Sequence, residues 1–309
     1  MKLAFVFPGQ GSQSVGMMAA YAGLSQIRET MQEASEVLGQ DLWQLIENGP
    51  AETLNLTANT QPAMLAVDIA VYRAWLAAGG RRPDVVAGHS LGEYAALVAA
   101  GAIEFKEALP LVRYRAEVMQ QAVPEGSGGI AAILGLDDDA VKAVCVEAAQ
   151  GEVVEAVNFN SPGQVVIAGH RSAVERGMEL AKARGAKRAL LLPMSVPSHC
   201  SLLKDAAQKL AARLAVVTVR KPNVPVLHNA DVASHGEAGA IGDALARQLH
   251  SPVRWVETVR KFAVDGVTHV VECGPGKVLM GLDKRIATDL QHLTLSDAEA
   301  VKQALAALA

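Results

Sequence analysis

Apolar residues in this chain fall into short continuous runs and longer periodic ones, the mixture expected of buried strands alternating with helices. Residues 3–7 (Leu-Ala-Phe-Val-Phe) form one continuous run that reads as a buried strand and empties into Pro8-Gly9-Gln10-Gly11. Val85, Val86 and Ala87 form another, followed across a sharp turn by helix formers from Glu93 to Ala100 that stop at Gly101. Residues 21–46 and 62–78 space their apolar positions as amphipathic helices do, with a polar link at 55–60. A further helix is expected over about 105–122. Its stripe of Leu111, Val112, Val118 and Met119 has Arg115 in the middle, three and four residues from each pair.

The pattern changes at Pro124-Glu125-Gly126-Ser127-Gly128-Gly129, a flexible link before a compact set of elements. Residues 130–136 read as strand, 137–150 as helix, 153–159 and 164–168 as a hairpin, 172–184 as helix and 187–192 as strand. That order, βαββαβ, is the ferredoxin-like arrangement. Pro193 to Pro197 then return the chain to alternating helices and short strands, the strands at 224–228, 267–272 and 292–295. The expected architecture is an α/β chain. A large parallel-sheet domain takes residues 1–124 and 194–309, and a small ferredoxin-like domain is inserted at 125–193.

Composition narrows the class without naming an activity. With 309 residues, half of them hydrophobic, the chain can bury a full core, and a formal charge of -4 gives no general attraction to nucleic acid or anionic membrane. No run approaches the ~18 apolar residues of a membrane span, and the apolar start breaks at Pro8, too soon for a signal peptide. Cys145, Cys200 and Cys273 lack metal-ligand spacing and read as reduced thiols of a cytoplasmic protein. No metal or cofactor is expected.

The chemistry centres on Ser90. Gly88 and Gly92 flank it at Gly-x-Ser-x-Gly spacing, between an apolar strand and an Ala-rich helix. A strained strand-to-helix turn of this kind tolerates no side chain two residues either side and lifts the hydroxyl clear of the sheet. It also turns helix amides, starting with Leu91 N–H, toward an oxyanion on a carbonyl bonded to Ser90; Gln10 in the first glycine-rich loop is a candidate second donor. The first loop lacks the last glycine of a dinucleotide fingerprint, and Gly274-Pro275-Gly276-Lys277 is not a Walker loop. His89, the immediate neighbour of Ser90, is expected to point away from the hydroxyl and to pack or line the site rather than act as the base, and Cys200 to pack. His199, in a proline-bounded loop outside any apolar stripe, is a candidate base. No acid stands out to orient it, because Asp137, Asp138 and Asp139 open a helix where carboxylates complement the dipole. For the inward Arg115 two partners stand level on periodicity: a structural carboxylate, or a substrate anion.

Four motifs in order, Phe-Pro-Gly-Gln-Gly-Ser-Gln (7–13), Gly-His-Ser-Leu-Gly-Glu-Tyr (88–94), Val-Pro-Ser-His (196–199) and Glu-Cys-Gly-Pro-Gly-Lys (272–277), resemble the malonyl-CoA:acyl-carrier-protein transacylases over nearly the whole chain. The resemblance implies a hydrolase-like large domain with the inserted small one, and a soluble enzyme of bacterial type II fatty-acid synthesis. Such an enzyme moves malonyl from coenzyme A to the phosphopantetheine thiol of acyl carrier protein. By matching position it implies Ser90 as nucleophile, His199 as base, the Gln10 and Leu91 amides as oxyanion donors and Arg115 as the partner of the malonyl carboxylate. It also implies that a backbone carbonyl, supplied by Gln248, orients the histidine in place of an acid. Cys273 stands where relatives often carry valine. The competing readings are an acyltransferase of a polyketide pathway, a serine thioesterase or other hydrolase, and a non-catalytic module binding carrier protein or coenzyme A.

Overall fold

The computed structural model describes residues 1–124, 126–194 and 196–308. Glu125, at the expected start of the small domain, and Ser195, in the loop before His199, lie outside them. The strands are β1 (Leu3–Phe7), β2 (Val85–Gly88), β3 (Gly128–Leu134), β4 (Val154–Ser161), β5 (Gln164–His170), β6 (Arg188–Leu191), β7 (Val226–Leu227), β8 (His269–Glu272) and β9 (Gln291–Thr294). They form two sheets. One, ordered β7-β2-β1-β8-β9, is parallel throughout; the other, ordered β4-β5-β3-β6, is antiparallel throughout.

The parallel sheet is covered on both faces, which is why β1, β2 and β7 lack polar side chains. Alternation along β1 sends Leu3, Phe5 and Phe7 into one core and Ala4 and Val6 into the other. On the first face Phe5 packs against Tyr72 and Trp75 of the helix Thr57–Ala77. On the second lie Trp255, Val259 and Phe262 of the helix Trp255–Val264. No helix is long and apolar enough to cross a membrane, among the described residues.

The antiparallel sheet has the ferredoxin-like order, with the helices Asp138–Ala149 and Arg171–Ala183 on one face. Its other face presents Ile130, Val157, Val166 and Ala168 against Cys200, Leu192 and Met194. This face closes over the end of the parallel sheet. Backbone bonds Phe159 N–H to Val253 O (3.0 Å) and Val253 N–H to Val157 O (2.8 Å) tie the two layers together.

Three elements differ from expectation. The polar link at 55–60 is shorter, because the helix expected from Pro62 starts at Thr57; Pro62 sits just past its first turn, where the missing N–H forfeits one bond. That helix is buried nearly all round, between neighbouring helices and the sheet, and is not amphipathic. The stretch 21–46 divides after Leu38: Gly39 takes a left-handed conformation (φ 60°) and Asp41 caps the next helix by accepting from Gln44 N–H. The strand at 224–228 shrinks to Val226–Leu227 behind Pro225, which has no N–H to give.

Candidate active site

Ligands of an open parallel sheet gather beyond the C-terminal ends of its strands, and here three such ends converge: the loop after β1, the turn after β2 and His228-Asn229 after β7. The turn after β2 is as tight as glycine spacing predicts. Ser90 holds φ 52°, a left-handed value for a residue with a side chain. A Cβ on Gly88 would stand 1.9 Å from the backbone of Gly92, and one on Gly92 would stand 2.0 Å from the carbonyl oxygen of Phe7. The first loop packs just as closely, since a Cβ on Gly9 would meet His89 O at 2.4 Å. This contact brings Gln10 beside the turn. The Gln10 and Leu91 amides have no protein acceptor among the described residues, and both residues line the same cavity of ≈ 60 Å³ as Ser90.

Ser90 Oγ lies 2.8 Å from His199 Nε2, and His199 Nδ1 lies 2.7 Å from the carbonyl oxygen of Gln248. A carbonyl only accepts, so Nδ1 carries the proton and Nε2 is left as an acceptor for the serine hydroxyl. His199 is buried, its backbone N–H donates to Leu249 O (2.9 Å), and its φ of 66° is again left-handed. Burial, and then the neighbouring Arg115 cation, push its pKa down to about 3. The ring is therefore neutral at physiological pH. Asp137 is far from this chemistry and caps its helix by accepting from Ala140 N–H (2.8 Å).

Arg115 reaches the same point from the helix Phe105–Gln120, where it is 1% exposed. Its guanidinium donates to Gln61 Oε1 (2.7 Å), Gln248 Oε1 (2.9 Å) and Ser90 Oγ (3.2 Å). Every one of these acceptors is neutral. Among the described residues no carboxylate forms an ion pair with Arg115, and its Nε has no partner at all. Among the described residues, the structural carboxylate left open by periodicity is not found in direct contact with Arg115.

The other expected residues fall into place around these. His89 points away from Ser90 Oγ, bonds Asn160 Oδ1 (2.8 Å) and rests against Trp255. Cys200 packs: its thiol donates to Pro197 O, and burial pushes its pKa up to about 12. Among the described residues no three His, Cys, Asp or Glu side chains cluster as metal ligands would.

Sequence reasoning missed four contributors. Gln61 falls between the polar link at 55–60 and the helix expected from Pro62 and drew no role, although a glutamine opening an otherwise apolar stretch was a signal. Asn229 holds the turn from both sides, accepting from Ser90 N–H (2.7 Å) and donating to Gly88 O (2.7 Å). Its position just beyond a parallel strand was the available clue. The Gln248 side chain, beyond its carbonyl, bonds Arg115, Ser90 O (2.9 Å) and Glu93 Oε2 (2.8 Å). Glu93, one turn past Ser90, is wholly buried and also takes Asn229 N–H (2.9 Å) and His228 Nδ1 (2.7 Å).

The model of the acyl transferase domain family matches residues 4–296. The malonyl CoA-acyl carrier protein transacylase of Escherichia coli (strain K12) is 56% identical over 305 residues, covering 98% of this chain and 99% of that protein. The crystal structure of the acyl-carrier-protein S-malonyltransferase of Burkholderia pseudomallei 1710b has a TM-score of 0.97 at 60% identity and covers 99% of this chain and 100% of that one. A malonyl-transacylase solved in complex with its type II PKS acyl-carrier protein has a TM-score of 0.98 at 51% identity, again over 99% of this chain and 100% of that one. Matched from end to end in sequence and in fold, the chain belongs to the malonyl CoA-acyl carrier protein transacylase family.

Proposed function

We propose that this chain transfers malonyl from coenzyme A to the phosphopantetheine thiol of acyl carrier protein, through a malonyl ester on Ser90. The observation that carries the reading is Arg115: a buried guanidinium that touches the nucleophile and has only neutral partners suits an acyl group that brings its own carboxylate. His199 Nε2 takes the Ser90 proton as Oγ attacks the thioester carbonyl. The Gln10 and Leu91 amides then receive the tetrahedral oxyanion, and the imidazolium returns its proton to the departing thiolate of coenzyme A. Arg115 also donates to Ser90 Oγ, which lowers the cost of charge on that oxygen. Binding of the carrier thiol runs the steps in reverse.

The inner cavity at Ser90 is small, while an adjoining hollow of ≈ 410 Å³ shares Gln10, Leu192 and Met194 with it. Three free, buried cysteines suit a reducing compartment, and we place the reaction in the cytoplasm. Intact-protein mass after mixing with malonyl-CoA tests the reading. Wild type should gain one malonyl group that survives in buffer and leaves on adding carrier thiol, whereas Ser90→Ala should gain none. Rapid loss to water would make the protein a thioesterase, and malonylation of Ser90→Ala would move the nucleophile elsewhere.

A further inference from the structure

A buried guanidinium without a carboxylate beside it needs a counter-charge somewhere, because an isolated ion in the interior is costly. Gln248 shows where it is. Its amide has one possible orientation: the Ser90 carbonyl can only accept and the Arg115 guanidinium can only donate, so Nε2 faces Ser90 O and Oε1 faces Arg115. The same Nε2 donates to Glu93 Oε2 at 2.8 Å. Cation, amide and carboxylate thus stand in line, Arg115 Nη2 to Gln248 Oε1 and Gln248 Nε2 to Glu93 Oε2, with Arg115 and Glu93 not in contact. Glu93 is 0% exposed and, among the described residues, bears on no lysine or arginine directly; its other partners are Asn229 N–H and His228 Nδ1.

We propose that Glu93 is the buried counter-charge of Arg115, coupled to it through the Gln248 amide, and that it sets how tightly the site holds an acyl group bearing a carboxylate. Placed one amide away, the anion makes the empty cation tolerable without occupying the face the substrate needs. A carboxylate in direct contact would compete with the substrate. The inference rests on the reading of Ser90 as the acylated residue. Over a span of roughly 8 Å and at an effective interior dielectric of ~20, Coulomb's law gives a coupling equivalent to about 30-fold in a binding constant. The sign is fixed: a fixed anion behind Arg115 weakens its hold on a second anion.

Glu93→Gln removes the charge and keeps the shape. Its amide oxygen can still accept from Asn229 and Gln248, and its NH₂ can donate to His228 Nδ1 once the imidazole proton, held on Nδ1 by the carboxylate, moves to Nε2. The experiment is single-turnover acylation of Ser90, followed by intact mass at pH 8, where an ordinary imidazole is neutral, across a range of malonyl-CoA and acetyl-CoA concentrations. Glu93→Gln should lower the half-saturating malonyl-CoA concentration by roughly 3- to 30-fold, leave that for acetyl-CoA within about twofold, and lower the melting temperature of the free protein. Malonyl-CoA saturation that is unchanged or weaker relative to acetyl-CoA would overturn the proposal and make Glu93 a structural carboxylate. If Glu93→Gln does not fold, Glu93→Gln/Arg115→Met decides: removing both charges should restore a folded protein, and failure of both variants to fold would overturn the proposal equally. Wild type that acquires no malonyl group would instead strike at the acyl-transfer reading itself.

Discussion

Replacing Arg115 with alanine separates a substrate-binding cation from a structural one. In the free protein the guanidinium satisfies Gln61 Oε1 and Gln248 Oε1 and touches Ser90 Oγ, so Arg115→Ala has two effects. It leaves two buried amide oxygens short of a donor and removes one donor from the nucleophile, losses that fall alike on any thioester. It also removes the partner of the malonyl carboxylate, a loss that falls on malonyl-CoA alone. Truncating one member of a buried, hydrogen-bonded charge pair costs about 2–5 kcal/mol, so kcat/KM for malonyl-CoA should fall roughly 30- to 5,000-fold more than for acetyl-CoA. The assay is paired kcat/KM for the two thioesters on wild type and variant, with a thermal scan of each protein. The ratio carries the test, because the shared losses cancel in it. Equal losses for both thioesters, with a lower melting temperature, would refute the reasoning and leave Arg115 a structural residue.

The low pKa of His199 gives two further expectations. The rate of Ser90 acylation should stay level from pH 8 down to about pH 5, with no acid limb near the ordinary imidazole value of ~6.5; quench-flow across that range checks it, and a limb near pH 6.5 would contradict it. Between ~6.5 and the folded value of about 3 the unfolded chain binds the proton that the folded one refuses, so stability is full above pH 6.5 and falls as pH drops; His199→Ala should flatten this slope in urea midpoints at pH 7 and pH 5. Asp68 has the opposite sign. It is wholly buried, both its carboxylate oxygens are unpartnered among the described residues, and burial followed by Glu272 raises its pKa well above the ordinary range. Its contribution is full below the ordinary value of ~3.8 and is lost as pH rises toward the folded one, so Asp68→Asn should melt higher than wild type at pH 8, with the gap closing toward pH 4. Equal melting temperatures at pH 8 would sink the idea.

Features fixed by local sterics were legible in the sequence, and features fixed by distant contacts were not. The Ser90 turn could be read because the need for Gly88 and Gly92 arises within five residues, and those glycines leave gaps of 1.9 and 2.0 Å where side chains would begin. Helical periodicity alone turned Arg115 inward, yet it could not choose between a carboxylate partner and an empty place, since the deciding acceptors lie 54 and 133 residues away. One histidine among eight could be preferred on its loop setting, but the bond that makes it a base spans 109 residues, and the carbonyl that fixes its tautomer lies 49 residues on. Glu93 was hidden for a further reason. In the sequence it is an ordinary first-turn acid on a helix, where a carboxylate complements the dipole and calls for no other account. Burial changes its meaning, because an acid with no solvent must be judged by the charges it can reach. Beyond His228, which it touches, Glu93 is linked to Arg115 across the amide of the residue whose carbonyl also orients His199. Base, cation and counter-charge therefore meet at Gln248, and a change there should disturb acyl selectivity and proton transfer together, whereas Gln61, which touches Arg115 alone of the three, should affect selectivity and spare the base.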